Sequence, residues 1–89
     1  MDVKELVNKL EELKVPHRFY SINGHLSPDT YFLNQVYHYW ECFYFDERGG
    51  TNNYRKFDNE NDACTYFYKE LKEEMEFYNQ VKRTQKKDN

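Results

Sequence analysis

Glycine, proline and cysteine are scarce in this chain, with three, two and two residues among 89. So few glycines and prolines exclude a collagen-like or low-complexity chain. No apolar run approaches the roughly 20 residues that a membrane-spanning helix needs, and no basic segment followed by an apolar one marks a secretory leader. We therefore expect a cytoplasmic protein with one domain, because a chain of this length holds a single hydrophobic core.

The two cysteines, Cys42 and Cys64, are 22 positions apart, and neither belongs to a Cys-x-x-Cys motif. Small secreted domains usually carry a denser set of disulfides. The spacing therefore favours two buried, reduced thiols that serve only in packing. A single disulfide between them is the alternative.

The charge is unevenly distributed along the chain. Residues 1–81 contain 15 acidic and 9 basic side chains, whereas residues 82–89 contain four basic and one acidic. The first segment therefore has a net charge of −6 and the second of +3. We predict one domain over residues 1–81 followed by a basic, disordered tail over residues 82–89. The acidic domain should repel nucleic acid and attract a basic protein partner.

Aromatic residues are abundant, with nine Tyr, seven Phe and one Trp.

Asp2 and Glu5 form a helix-capping pair, and Pro16 ends the helix that follows. The apolar positions of that helix recur at helical spacing and are Val3, Leu6, Val7, Leu10 and Leu13. We predict an amphipathic first helix of about three turns.

Four strands and a second helix follow. The strands are predicted at residues 17–22, 30–33, 38–46 and 54–57, with residues 34–37 as a connection. Asn59 is the expected N-cap of the second helix. Its buried stripe comprises Ala63, Cys64, Phe67, Leu71, Met75, Tyr78 and Val81. The strand connections are too short for parallel crossovers. The prediction is an α+β fold: helix, four-stranded antiparallel meander, helix, in a two-layer sandwich with both helices on one face.

The third strand lacks the usual alternation of apolar and polar residues. One set of positions, Trp40, Cys42 and Tyr44, has no charge and is expected under the helices. The other set, here called the aromatic face, consists of Tyr39, Glu41, Phe43 and Phe45. Either other aromatic residues and the loop at 24–29 cover this face, or it is a protein-binding surface for a foreign partner or a second copy.

No arrangement of side chains indicates catalysis, a cofactor or a metal ion. His17, His25 and His38 lack the spacing of a helical metal-binding pair, and no Gly-x-Ser-x-Gly motif surrounds a serine. Gly49-Gly50 is followed by no Lys-Ser/Thr pair, so it does not form a phosphate loop. We expect no enzymatic activity, no cofactor and no metal.

Direct binding to nucleic acid is also disfavoured, although double-stranded RNA-binding domains share the order helix, antiparallel sheet, helix. Those domains carry basic residues at the start of the last helix. Here that segment contains Asp58, Glu60 and Asp62, which would oppose phosphate binding.

Several short motifs, in this order, resemble a small family of bacterial immunity proteins. After the leading helix they are Tyr20-Ser21-Ile22-Asn23-Gly24, Trp40-Glu41, Glu47-Arg48-Gly49, Phe57 and Ala63-Cys64-Thr65-Tyr66-Phe67-Tyr68. The family is encoded beside polymorphic toxins, including those of contact-dependent growth inhibition. The resemblance implies a cytoplasmic inhibitor that binds the C-terminal toxin domain of a larger protein, often a nuclease, and blocks its active site or substrate channel.

The residues expected to contact such a toxin combine aromatic rings with carboxylates. They are Tyr39, Glu41, Phe43, Phe45, Asp46 and Glu47. Rings would supply affinity, and carboxylates would steer a basic partner. The alternative is a small homodimeric structural or regulatory adaptor that binds proteins through the same face.

Overall fold

The computed structural model describes the backbone of residues 1–87 and the side chains of residues 1–82. The fold is α+β, with two helices and a four-stranded sheet, and the predicted order of helix, four strands and helix is confirmed. The elements are helix α1 (Val3–Glu12), a short 3-10 helix (His17–Phe19), strands β1 (Tyr20–Ile22), β2 (Thr30–Val36), β3 (Tyr39–Phe45) and β4 (Thr51–Phe57), and helix α2 (Glu60–Lys87).

Both helices begin at the predicted capping residues. The side chain of Asp2 accepts a hydrogen bond from the backbone N–H of Glu5 at 2.8 Å, and Asn59 Oδ1 accepts one from the N–H of Asp62 at 2.8 Å. Each bond satisfies a donor that the first helical turn leaves without a partner. The two caps therefore set where the helices start.

The core cluster combines side chains of both helices with one set of strand side chains. Its buried members are Leu6, Leu10, Val15, Leu33, Trp40, Cys42, Ala63, Cys64, Phe67, Leu71 and Met75. Both cysteines are buried and unpaired, as predicted. The buried stripe of α2 is confirmed through Met75, and Tyr78 packs against its edge. Val81 is 40% exposed, so its assignment to the stripe is wrong.

Helix α2 extends through Lys87, so the change of charge at residue 82 does not coincide with the end of the helix. The side chains after Lys82 and the residues after Lys87 lie outside the described residues, and the disorder of segment 82–89 stays a prediction. Although α2 has 28 residues, no helix in the described part is both long and apolar enough to cross a membrane.

The prediction of an antiparallel meander is wrong for the first pair of strands. β1 pairs with β2 in parallel, with Tyr20 opposite Tyr31 and Ile22 opposite Leu33, while β2–β3 and β3–β4 are antiparallel. A parallel pair usually needs a crossover of a dozen residues. Here β1 has only three residues and rises about 10 Å, so the short segment 23–29 can return the chain.

Asn23 holds this unusual connection in place. Its φ of 55° reverses the chain directly after β1, a conformation that asparagine tolerates better than most residues. Its N–H donates to the carbonyl oxygen of Leu33 at 2.8 Å, and its Oδ1 accepts from the N–H of Gln35 at 2.7 Å. The side chain thus provides a hydrogen-bond acceptor for the backbone N–H of Gln35, a residue of β2 that has no partner in β1.

Two strands are longer than predicted, and two are shorter. β2 continues to Val36 and β4 starts at Thr51. β3 spans only Tyr39–Phe45, and β1 only Tyr20–Ile22, so the prediction of strand at residues 17–19 is wrong: they form the 3-10 helix. The added segments contain polar residues such as Asn34 and Asn52, which a strand tolerates because its hydrogen bonds are made by backbone groups. A bulge interrupts β4, where residues 53 and 54 oppose Phe43, and Asn53 there has φ 54°.

Candidate functional site

The strand register places the aromatic face on the side opposite the core cluster. Trp40 and Cys42 of β3 belong to that cluster together with Leu33 of β2. The alternate positions of β3 project to the other side. There they are joined by β2 and β4 residues of matching register: Phe32, Asn34, Val36, Tyr54 and Lys56.

Three phenylalanines on this face pack against one another. Phe32 is 0% exposed and Phe43 is 9% exposed, although neither belongs to the helix-side cluster. Their rings stack with centroids 5.6 Å apart, and Phe45 meets Phe32 edge-on at 6.3 Å. Phe43 therefore offers little surface to a partner, whereas Phe45 is half-buried. Neighbouring aromatic residues cover part of the face, as the first of the two interpretations expected.

The rest of the face is an ordered polar surface built on two tyrosines. The hydroxyl of Tyr54 donates to Glu41 at 2.8 Å, and this hydrogen bond raises the pKa of Tyr54 to about 12. The Lys56 ammonium lies 4.2 Å from the ring centroid of Tyr39, within the range of a cation–π contact. Tyr39 and Glu41 are half-buried, while Tyr54 and Lys56 are exposed. Such fixed rings and charges suit recognition of a protein surface.

The hairpin between β2 and β3 adds a residue that sequence reasoning missed. The sequence predicts only a connection at Tyr37, but this residue stands at the tip of the hairpin with 87% of its surface exposed. Its φ is 55°, which is uncommon for a bulky side chain, and its ring lies 6.3 Å from that of His38. The sequence signal for this hairpin is the interval of two residues between the apolar segments that form β2 and β3, which is typical of a tight hairpin turn.

Asp46 organises the turn between β3 and β4. Its carboxylate accepts hydrogen bonds from the N–H groups of Arg48 (2.9 Å) and Gly50 (2.7 Å) and from the side chain of Asn52 (3.0 Å). A Cβ on Gly50 would lie 2.8 Å from that carboxylate, so a larger residue there would displace the Asp46 side chain. Of the two acidic residues predicted here for partner contact, Asp46 is engaged in the turn and Glu47 is exposed.

We expect Asp46→Ala to lower the urea midpoint of unfolding, whereas Glu47→Ala should leave it nearly unchanged. The hydrogen bond from Asn52, followed by that from Gly50, lowers the pKa of Asp46 in the folded state. Its stabilising contribution is therefore complete above the unfolded pKa of about 4 and is lost as pH falls through the folded value. The difference between the native protein and Asp46→Asn should shrink below pH 4 in urea titrations. A difference that grows on acidification would contradict this.

The three histidines do not converge. His17 and His25 share an open cleft of about 380 Å³ with Arg18 and Ser21, whereas His38 is in the β2–β3 hairpin. Within the described residues, no three or more His, Cys, Asp or Glu side chains are grouped to hold a metal ion.

Burial also makes the two thiols poor nucleophiles. Burial, followed by the nearby Glu70 charge, raises the pKa of Cys42 to about 12, and burial together with Glu60 raises that of Cys64 to about 11. A reactive cysteine has a lowered pKa and an accessible sulfur. These thiols have neither, and they act as small apolar side chains of the core.

The aromatic face thus presents two tyrosine rings, the Glu41 carboxylate and the Lys56 ammonium group at one place. No protein-family model matches the chain, and no curated protein or solved structure is significantly similar to it.

Proposed function

We propose that this chain is a cytoplasmic immunity protein without enzymatic activity that binds a cognate toxin domain and blocks its active site or substrate channel. The observation that supports this best is the aromatic face, where Tyr39, Glu41 and Phe45 remain partly exposed on the side of the sheet opposite the core cluster. Together with the family resemblance of the motifs, it favours a protein that blocks a toxin by binding over one that catalyses a reaction.

In this proposal the two helices form one layer and the sheet the other. The core cluster supports it, because it joins side chains of α1 and α2 to only one set of alternating strand positions, represented by Leu33, Trp40 and Cys42. A two-layer arrangement leaves the aromatic face without a helix over it. That face is then available to a partner.

The contact region combines the exposed parts of the predicted set with the hairpin tip. It comprises Tyr37, Tyr39, Glu41, Phe45, Glu47 and Tyr54. Phe43 and Asp46 are not part of the exposed contact region. Phe43 packs beneath it, and Asp46 holds the turn next to it. Tyrosines are frequent hot spots at interfaces, and the charge of −6 over residues 1–81 favours a partner with a basic cleft, such as a nuclease.

The test uses the C-terminal domain of the protein encoded by the gene immediately upstream. We expect a complex with one copy of each chain by light scattering, and loss of toxin activity at equal molar amounts. The isolated protein should be a monomer in the same measurement. A stable homodimer of the isolated protein that ignores the toxin domain would favour the adaptor instead.

Two variants locate the contact. Tyr39→Ala should weaken binding by about 30-fold, the equivalent of roughly 2 kcal/mol at a hot spot, and Glu47→Lys should slow association in a salt-dependent way. Phe77→Ala and Glu12→Lys are matched controls, because both residues are exposed on the helices. Equal binding by all four variants would place the contact elsewhere.

A further inference from the structure

A small cavity lies on the helix side of the sheet, away from the aromatic face. It has a volume of about 70 Å³ and is lined by Phe19, Asp29, Tyr31, Tyr44 and Glu74. Among the described residues, three aromatic rings and two carboxylates thus line it. One water molecule needs about 10–15 Å³, so the cavity can hold a larger polar group.

The rings form two sides of a corner. Tyr31 and Tyr44 are opposite each other on β2 and β3, with ring centroids 4.8 Å apart and planes inclined at 56°. Phe19 is held in place by an edge-on contact with Tyr78 at 5.5 Å. The guanidinium of Arg18 lies 5.3 Å from the Phe19 ring centroid, so a cation already rests on this ring.

Each tyrosine hydroxyl holds one of the carboxylates. Tyr44 donates to Asp29 Oδ1 at 3.1 Å, and Tyr31 donates to Glu74 Oε2 at 3.3 Å. Each carboxylate keeps acceptor capacity beyond this bond. The two carboxylates therefore provide acceptor oxygens in the cavity for a further donor.

We propose that this cavity binds the guanidinium group of an arginine side chain supplied by a protein partner. Aromatic faces attract cations, and arginine more often than lysine. Its planar group can stack on a ring while its N–H groups reach carboxylates. Asp29, Tyr31, Tyr44 and Glu74 provide both kinds of contact at one place. Burial, followed by the Glu74 charge, raises the pKa of Tyr31, so its hydroxyl remains a donor to a higher pH than an ordinary tyrosine.

The identity of the partner rests on the proposed function, but the cation site does not. The cavity lies on the opposite side of the sheet from Tyr39. An arginine bound there would make a second contact with a toxin that reaches around the edge of the domain. The two contacts can be tested separately.

The direct test titrates the protein with Nα-acetyl-arginine amide and follows the ring signals of Tyr31 and Tyr44 by NMR. We expect a saturable shift that weakens as salt increases. The neutral citrulline analogue, which has the same shape, should bind at least tenfold more weakly. Equal shifts with both compounds, or no saturable shift with the arginine compound, would overturn the site.

Charge-neutral variants assign the shift to the cavity. Asp29→Asn and Glu74→Gln should each weaken binding of the arginine compound by threefold to tenfold, while Glu73→Gln, an exposed neighbour on α2, should have no effect. An equal loss with Glu73→Gln would reduce the result to general charge attraction and overturn the proposal.

The same variants separate this proposal from the proposed function. Asp29→Asn and Glu74→Gln should also weaken binding of the upstream toxin domain. If the toxin binds them normally, the partner's arginine does not occupy the cavity. If the arginine compound binds and the toxin does not bind even the unaltered protein, the proposed function fails while the cation site remains.

Discussion

Phe32→Ala is expected to destabilise the protein by about 3–5 kcal/mol, the usual cost of removing a buried phenylalanine ring. Phe32 is 0% exposed and stands between Phe43 and Phe45. Its loss would open a cavity on the face of the sheet that the helix-side core does not reach. Urea unfolding at 25 °C measures the effect.

Phe77→Ala is the matched control, because it removes the same side chain from a position that is 62% exposed. It should change the free energy of unfolding by no more than about 0.5 kcal/mol. If Phe32→Ala does not fold, Phe32→Leu should fold with a smaller loss, since leucine retains part of the buried volume. A cost below about 1 kcal/mol for Phe32→Ala would mean that the aromatic face is open, and the proposed contact region would then include Phe43.

The second large effect concerns thiol reactivity. Cys42 and Cys64, with pKa values raised from 9.0 to about 12 and about 11, should carry about a thousandfold and a hundredfold less thiolate than unperturbed thiols near pH 8. Only the thiolate reacts with a disulfide reagent. We expect native labelling at pH 8 to be at least about a hundredfold slower than labelling in urea.

Thr65→Cys supplies the comparison, since residue 65 is exposed and adjacent to Cys64 on α2. Its thiol should react in the native protein at nearly the rate of an unstructured cysteine. Fast native labelling of Cys42 or Cys64 would mean that the core opens there without global unfolding. It would also remove the reason for regarding both as packing residues.

Local signals account for what was predicted correctly. Asp2 and Asn59 act as caps because they satisfy backbone groups a few residues away, an interaction that neighbours in sequence determine. The stripe from Ala63 to Met75 follows from helical periodicity alone. Val81 continues that period but lies beyond the part of α2 that packs against the core. Periodicity cannot show where along a helix the contact with the core ends.

The candidate site shows the same division. The alternating direction of side chains along a strand correctly assigned Tyr39 and Glu41 to one face and Trp40 and Cys42 to the other. Alternation could not show that Phe32 of another strand stacks on Phe43, that Asp46 is used by its own turn, or that Tyr37 is the most exposed aromatic residue. Each of these depends on which strands are paired and in what register.

The sequence by itself determined the order of the elements, the helix starts and the acidic, aromatic character of the domain, since these follow from capping, periodicity and composition. Tertiary structure alone decided that β1 runs parallel to β2. The short return of the chain is possible because β1 has only three residues, and its pairing with β2 determines that length. It also brought Asp29 and Glu74 to the rings of Tyr31 and Tyr44, since residues far apart along the chain meet only when α2 packs on the sheet.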